Sequence, residues 1–420
     1  MSIKNILPGK IGLGGAPLGN MFRNIPQEDV QATVSGAWDL GIRYFDTVVD
    51  DARHTMTVAR TAAHYGAVVR TSTQVVDFLR EADRVSGVVV RDSETGATTE
   101  IRSTVVINAT GVWTDELQAL SHQKGRFRVR ASKGVHILVP RDRIVSDVAL
   151  ILRTEKSVLF VIPWGIHWII GTTDTDWNLD LAHPAATATD IDYILDHVNK
   201  VLITELTRED ITGVYAGLRP LLAGESDETS KLSREHAVAA IAPGLVTIAG
   251  GKYTTYRVMA KDAVDAAAED LGPIKDSVTE NVPLIGAEGY QALVNQLDTL
   301  SRRHDLPVWR VTHLLDRYGS MAVDLFAMID EDRSLAEPLA GAAEYLRVEV
   351  VYAARHEATL HLNDLLTRRT RISIETTDRG VEAAEPAAQI LAAELGWDEE
   401  RTRSEVEHYL RRVQAEIESQ

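Results

Sequence analysis

The sequence predicts an α/β protein with a mixed sheet in the middle of the chain and a helical domain at its end. Between about residues 50 and 270, short apolar strands alternate with turns and helices. Two segments in this region, INATGVWTDEL and IAGGKYTTYR, have the pattern of a strand that turns directly into a helix. From about Gly286 onward the apolar spacing is almost entirely helical.

Composition restricts the function classes. The chain has 420 residues, which is enough for two or three domains, and a formal net charge of −17, which disfavours non-specific nucleic-acid binding. It has no cysteine, so disulfides and thiolate metal sites are excluded. The most apolar stretch, SVLFVIPWGIHWIIGTT, is broken by Pro163, Gly165 and His167, so it predicts two strands and a turn rather than a membrane-spanning helix.

The elements follow in order along the chain. Residues 1–47 contain KIGLGGAPLGN, a helix that starts near Pro26 and ends before Gly41, and the strand IRYFDT. A second helix, from about Asp50, ends at Gly66. The predicted strands lie in AVVRTSTQVVDFLRE, VSGVVVRD, TTEIRS, TVVINATG, RVRASKGVHILVPRD, VALILRT, the apolar pair around Pro163, and LVTIAGG, with the helix IDYILDHVNKVL before YAGLRPLLAG. A linker is expected after Pro273.

The two strand-to-helix turns suggest a cofactor. Their small residues let the backbone approach a ligand, and the free N–H groups at a helix start favour an anionic or electron-rich group. Either turn alone is more often an ordinary tight turn. Two in one domain favour a cofactor site.

From Val49 onward the chain resembles the FAD-dependent glycerol-3-phosphate dehydrogenases. The similarity lies in DDARHTMTVARTAAHYGA, INATGVWTDEL, SKGVHILVPR, GTTDTDW, YAGLRPLL, LSREHAV and IAGGKYTTYRVMAKDAVD, and near the end in RYGS and LNDLLTRRTRISIE. The resemblance implies an FAD-linked oxidoreductase domain at residues 48–275, whose substrate-binding sheet spans about 124–220, and a helical domain at 276–420.

Residues 1–47 resemble the start of the aldo-keto reductases instead, with Asp46 at the position of the aspartate that supports the catalytic tyrosine of that family. The next tyrosine, Tyr65, lies in the following helix, and the remaining barrel strands are absent from the sequence. We therefore expect two joined segments that meet near Val48, and an aldo-keto reductase that uses NADPH is the least favoured interpretation.

The first segment does not supply the phosphate-binding turn of a flavoprotein. Gly12 and Gly14 begin like G-x-G-x-x-G, but Pro17 stands where the third glycine belongs, and no long apolar strand precedes them. We therefore expect an incomplete FAD/NAD(P)-binding domain. Two hypotheses follow, an FAD-dependent dehydrogenase and a non-catalytic or partner-dependent remnant of one.

The resemblance implies a substrate site for glycerol 3-phosphate. Arg219 and Arg234 match the substrate-binding arginines, and a guanidinium suits a phosphate. His136 matches the active-site histidine, which would accept the proton of the substrate hydroxyl. Arg219 is the alternative residue for directing that proton. Without the resemblance, surface ion pairs and a hydrogen-bonded core histidine would be the preferred interpretations.

The resemblance also implies FAD contacts. Gly251, Lys252, Thr254 and Thr255 match the flavin contacts at the second turn, with Lys252 also near the substrate. Gly111 and Trp113 would approach the other side of the flavin, and Val75, after the strand AVVRTST, would contact the adenine end. The alternative for the second turn is an ordinary capped helix with Lys252 in solvent. The alternative for Trp113 is packing in the hydrophobic core.

The implied reaction is oxidation of sn-glycerol 3-phosphate to dihydroxyacetone phosphate, with electrons passed through FAD to a membrane quinone. It implies a cytoplasmic protein, and peripheral attachment to the inner face of the membrane and a homodimer stay open. HEATLH lacks the spacing of a zinc helix, so no metal site is expected. The run Arg368, Arg369 and Arg371 could contact anionic lipid, but a solvated helix end is the preferred interpretation.

Overall fold

A computed structural model describes residues 49–122, 126–146, 149–154, 158–223 and 235–420. The chain divides into two compact units, Met1–Thr55 and Met56–Gln420. The segment that resembles an aldo-keto reductase, with Asp46, lies outside the described residues. Helix α1, Asp51–His64, begins close to its predicted start, and Gly66 follows it with a φ of +95°.

A small antiparallel sheet comes next. Its strands are β1 Thr73–Glu81, β2 Arg84–Asp92 and β3 Thr98–Arg102, in the order β1-β2-β3. We expected β1 to begin near Ala67, but residues 67–71 are exposed and β1 begins at Thr73, where pairing with Asp92 starts. Strand β4, Val106–Asn108, and helix α2, Thr114–Leu120, complete this part of the chain.

A second, six-stranded sheet carries the largest core of the α/β region. Its elements are β5 Val129–Pro140, β6 Leu150–Arg153, β7 Val158–Trp164, β8 His167–Gly171, β9 Thr175–Trp177, α3 Ala188–Val198 and β10 Gly213–Leu222. The strand order is β10-β5-β8-β7-β6, and β9 pairs with β5. Helix α3 packs on one face, where Val135, Ile137, Trp168 and Ile194 are fully buried. Because successive side chains alternate between the two faces of a strand, β5 and β10 also present side chains to the opposite face of the sheet.

The last strands form a three-stranded sheet that includes the only parallel pair among the described strands. Strands β11, His236–Ala242, and β12, Leu245–Gly250, join β4 in the order β11-β12-β4, and β12 runs parallel to β4. The chain after β12 forms helices α4 Tyr256–Ala266 and α5 Ala268–Leu271.

The remainder of the chain is mainly helical. The helices are α6 Tyr290–Val294, α7 Leu297–His304, α8 Val308–Tyr318, α9 Ala322–Glu331, α10 Arg347–His356, α11 Leu362–Asp364, α12 Ile372–Glu375, α13 Val381–Leu395 and α14 Glu399–Glu418. Our expectation missed the hairpin of β13, Pro338–Leu339, and β14, Ala342–Leu346, and a π-helical turn at Leu365–Arg369. No helix in the described part of the chain is long and apolar enough to cross a membrane.

Candidate functional site

The two predicted strand-to-helix turns lie side by side. Because β4 and β12 are parallel neighbours, their carboxyl ends meet at one edge of the sheet, the usual location of ligands in such sheets. The first turn is a 3₁₀ turn at Gly111–Trp113, and it contacts β5, β10 and β12. The second is a 3₁₀ turn at Tyr253–Thr255 that precedes α4. Strand β10 therefore connects this edge to the six-stranded sheet.

Glycine is required in the second turn for two reasons. Gly250 and Gly251 have φ angles of +76° and +89°, which other residues adopt only with strain. A Cβ on Gly250 would also lie 2.6 Å from the backbone carbonyl oxygen of Glu235. The turn is then closed by Thr255, whose backbone N–H and hydroxyl both donate to the carbonyl of Lys252. Lys252 is half-buried, whereas Thr254 and Thr255 are exposed.

The first turn is more open. Gly111 has a φ of +60°, and among the residues that the structure describes a Cβ there would meet only Pro220 Cγ, at 3.9 Å. Trp113, at the end of this turn, is 39% exposed, which contradicts plain core packing for this side chain.

His136 and Arg219 come together on neighbouring strands. Strand β10 pairs with β5 in a register that places Tyr215 opposite His136 and Arg219 opposite Ser132. Residues two and four positions apart on a strand share a face, so Arg219 lies on the same face of β10 as Tyr215. The His136 and Tyr215 rings stack, with centroids 4.9 Å apart and planes 11° apart.

The imidazole of His136 is neutral, and one of its two nitrogen atoms can form a hydrogen bond with a ligand. Burial and the charge of Arg219 lower its pKa to about 3. Its Nδ1 atom is buried and has no hydrogen-bond partner among the described residues. A buried polar atom without a partner costs free energy unless a ligand satisfies it, so this nitrogen is a candidate for contact with a substrate.

Arg219 is held in place by the chain after β8. Its guanidinium donates to the Thr172 hydroxyl at 2.9 Å and to the Thr173 carbonyl at 3.2 Å. A Cβ on Gly134 would lie 2.5 Å from Arg219 Nη2, so glycine at this position on β5 makes room for the guanidinium. Such a positioned, planar donor fork is suited to a phosphate or carboxylate.

The structure brings two residues to this site that the sequence did not assign to it. Tyr215 packs on His136, and the Arg371 guanidinium lies 6.0 Å from the centre of the Tyr215 ring. Arg371 precedes α12, which contacts β10. Tyr215 could have been found from strand alternation with Arg219 once the strand was assigned. No local signal could have found Arg371, because its position depends on the docking of the helical domain.

Two predicted residues are not placed with the others. Arg234 lies outside the described residues. Val75 lies within β1 rather than after a strand, in a different sheet, and pairs with Val90 next to a β-bulge. Among the residues that the structure describes, no group of three or more histidine and acidic side chains could hold a metal ion.

The edge formed by the two turns fits the flavin end of FAD. The open backbone at Gly111 and the tight glycine turn before Lys252 allow a flat ring to approach, and Lys252 with the start of the following helix provides positive potential. The residues at this edge that could hold the cofactor are Gly111, Trp113, Gly251, Lys252, Thr254 and Thr255. His136 and Arg219 lie on the neighbouring strands β5 and β10.

Comparisons with known proteins identify the family of this chain. The sequence model of the FAD dependent oxidoreductase family matches residues 17–257, so the match starts inside the segment that resembles an aldo-keto reductase. A second model, of the C-terminal domain of alpha-glycerophosphate oxidase, matches residues 277–402. Glycerol-3-phosphate dehydrogenase 2 of Mycobacterium tuberculosis is 68% identical over 381 residues, and glycerol-3-phosphate dehydrogenase of Mycobacterium leprae is 65% identical. Each alignment covers 90% of this chain and 65% of the relative.

A solved structure shows the same fold. The glycerol-3-phosphate dehydrogenase of Bacillus halodurans, in complex with FAD, superposes with a TM-score of 0.76 at 30% identity. The match covers 87% of this chain and 73% of that one. The chain spans about 65% of the length of the mycobacterial relatives. From its matched range and its fold, the chain belongs to the FAD dependent oxidoreductase family and ends in the domain known from alpha-glycerophosphate oxidase.

Proposed function

We propose that this chain oxidises sn-glycerol 3-phosphate to dihydroxyacetone phosphate with FAD as cofactor. The observation that carries the proposal is the positioned Arg219 guanidinium beside the neutral His136 imidazole, on strands that adjoin the two glycine turns. The names of the mycobacterial relatives and of the Bacillus protein support this substrate.

Each residue of the site has a proposed role in binding or proton transfer. Arg219 binds the phosphate, and Arg234 is proposed as a second phosphate ligand. His136 accepts the proton of the C2 hydroxyl. Because the charge of Arg219 contributes to the low pKa of His136, a phosphate dianion on Arg219 offsets that charge and makes the imidazole a stronger base when substrate is bound. Bound FAD supplies the hydride acceptor, and Lys252 offers positive charge near it.

The remaining parts of the proposal rest on the resemblance. A membrane quinone is the proposed electron acceptor, and the inner face of the cell membrane is the proposed location. The proposed division is a segment at 1–47, an oxidoreductase domain at 48–275 and a helical domain at 276–420. Val75 is the proposed contact for the adenine end of FAD, and a homodimer is the proposed assembly.

We also infer that this chain holds FAD weakly and turns over slowly. The observation that favours this is Pro17 in place of the third glycine of a phosphate-binding motif. A non-catalytic or partner-dependent relative of the enzyme is therefore the second candidate function.

Dye reduction by the purified chain tests the proposal. With excess FAD, we expect slow dye reduction that requires sn-glycerol 3-phosphate, is lost in Arg219→Gln and is retained in the control Arg302→Gln, an exposed arginine of α7. Equal rates in Arg219→Gln and the unmodified chain would refute the assigned site. No dye reduction at any FAD concentration would favour the second candidate.

A further inference from the structure

A separate cavity of about 540 Å³ lies where the helical domain meets the six-stranded sheet. One wall is the loop 182–185 with Ala216 of β10, and the other is formed by the π-helical turn at Leu365–Arg369 and by α14. Ala216 points to the opposite face of β10 from Tyr215. The cavity is therefore distinct from the site that contains His136.

The lining of this cavity is basic. Arg368, Arg411, Arg412, His183 and His408 all line it. Among the described residues, the carboxylate nearest to Arg368 is that of Asp364, and the one nearest to Arg411 is that of Glu407. Each lies 3.8 Å from its arginine, which is longer than a good ion pair. Three arginines therefore line this cavity in a chain whose net charge is −17.

The two carboxylates that line the cavity are already engaged. Glu405 accepts from His361 at 2.9 Å and pairs with Arg401 at 2.7 Å, and Glu416 pairs with Arg412 at 2.7 Å. Their negative charge is therefore largely offset. Arg368 and Arg411 remain the cations with the weakest compensation in this cavity.

Arg368 is held at this position against electrostatic cost. It belongs to a π-helical turn, a rare conformation that is frequent at functional sites. Burial lowers the pKa of Arg368, and the positive charge of Arg412 lowers it further. An anion in the cavity would pair with Arg368 and offset the repulsion that Arg412 exerts on it.

We propose that this cavity is a second anion site, which binds the phosphate group of a phosphate ester through Arg368 and Arg411. The volume is in the range of small-molecule sites. Arginine binds the phosphate of a soluble metabolite and that of an anionic lipid headgroup by the same chemistry.

Titration calorimetry with inorganic phosphate tests the proposal. The variant Arg219→Gln serves as background, because it removes the proposed substrate phosphate ligand. We expect phosphate binding to persist in this background and to weaken about tenfold to a hundredfold when Arg368→Gln and Arg411→Gln are added. The control Arg302→Gln leaves it unchanged. Phosphate binding that is absent in the Arg219→Gln background, or unaffected by the added changes, overturns the proposal.

A second measurement needs no variant. Crystals of the unmodified chain soaked in tungstate should show anomalous density between the Arg368 and Arg411 side chains, and its absence overturns the proposal. Vesicle sedimentation then distinguishes the ligand source. Binding to phosphatidylglycerol but not phosphatidylcholine vesicles, lost in the Arg368→Gln, Arg411→Gln variant, identifies a lipid headgroup. Phosphate binding without vesicle binding identifies a soluble phosphate ester.

Discussion

His361 connects the helical domain to the small antiparallel sheet, and its removal should destabilise the protein in a pH-dependent way. Its Nδ1 lies 2.9 Å from Glu405 on α14, and its Nε2 lies 3.0 Å from Glu94 in the turn between β2 and β3. The hydrogen bond to Glu405 raises the pKa of His361 to about 9, against the opposing effect of burial, and the bond to Glu94 adds to it.

The size of the effect follows from this pKa. The difference from the ordinary value of 6.5 corresponds to about 3.4 kcal/mol of stabilisation. The side chain is 32% exposed, so solvent screening reduces our expectation to about 2 kcal/mol. Because the folded-state pKa is raised, this stabilisation is complete below pH 6.5 and is lost as the pH rises through about 9.

Urea unfolding followed by circular dichroism, at several pH values, measures the effect. We expect His361→Gln to lower the free energy of unfolding by about 2 kcal/mol near pH 6 and by much less near pH 10. The control is His408→Gln, an exposed histidine also on α14, which should have little effect. A loss in His361→Gln that is the same at both pH values would refute the ionic role of this cluster.

Three further predictions concern strand β5 of the six-stranded sheet. Gly134→Ala should displace the Arg219 guanidinium and raise KM for sn-glycerol 3-phosphate about tenfold or more with little change in Tm, whereas a shift in Tm alone would contradict this. Lys133→Met should cost about 3–5 kcal/mol in urea unfolding, because it leaves the carboxylate of Asp190, 2.7 Å away and 6% exposed, without its cation. The double change Lys133→Met, Asp190→Leu should recover only part of this loss, because Asp190 also accepts hydrogen bonds from Thr187 at the start of α3. Finally, kcat/KM should show no ionisation from His136 between about pH 5 and 8, and a step near 6.5 that disappears in His136→Gln would contradict its low pKa.

Local signals allowed the two glycine turns to be predicted. Gly111, Gly250 and Gly251 sit where positive φ angles are needed, and such requirements appear directly in the sequence. The pairing of His136 with Tyr215, by contrast, joins strands far apart in sequence. Residue spacing does not encode that register, so only the family resemblance placed His136 and Arg219 in one site.

The hairpin of β13 and β14 shows why the helical domain was predicted imperfectly. Its sequence, PLAGAAEYL, is rich in helix-forming residues. Gly341 turns the chain with a φ of +79°, and a Cβ there would lie 2.4 Å from the Glu382 backbone. The hairpin is therefore stabilised by close packing against α13, a tertiary effect that overrides local propensity.

The visible spectrum of the flavin-loaded chain tests the central claim most directly. The chain is incubated with excess FAD, unbound flavin is removed rapidly, and sn-glycerol 3-phosphate is added without oxygen. We predict that the bound flavin loses its visible absorption band in the unmodified chain and keeps it in Arg219→Gln. A bound flavin whose band does not change on addition of substrate, or a chain that binds no flavin at all, would contradict the proposed function.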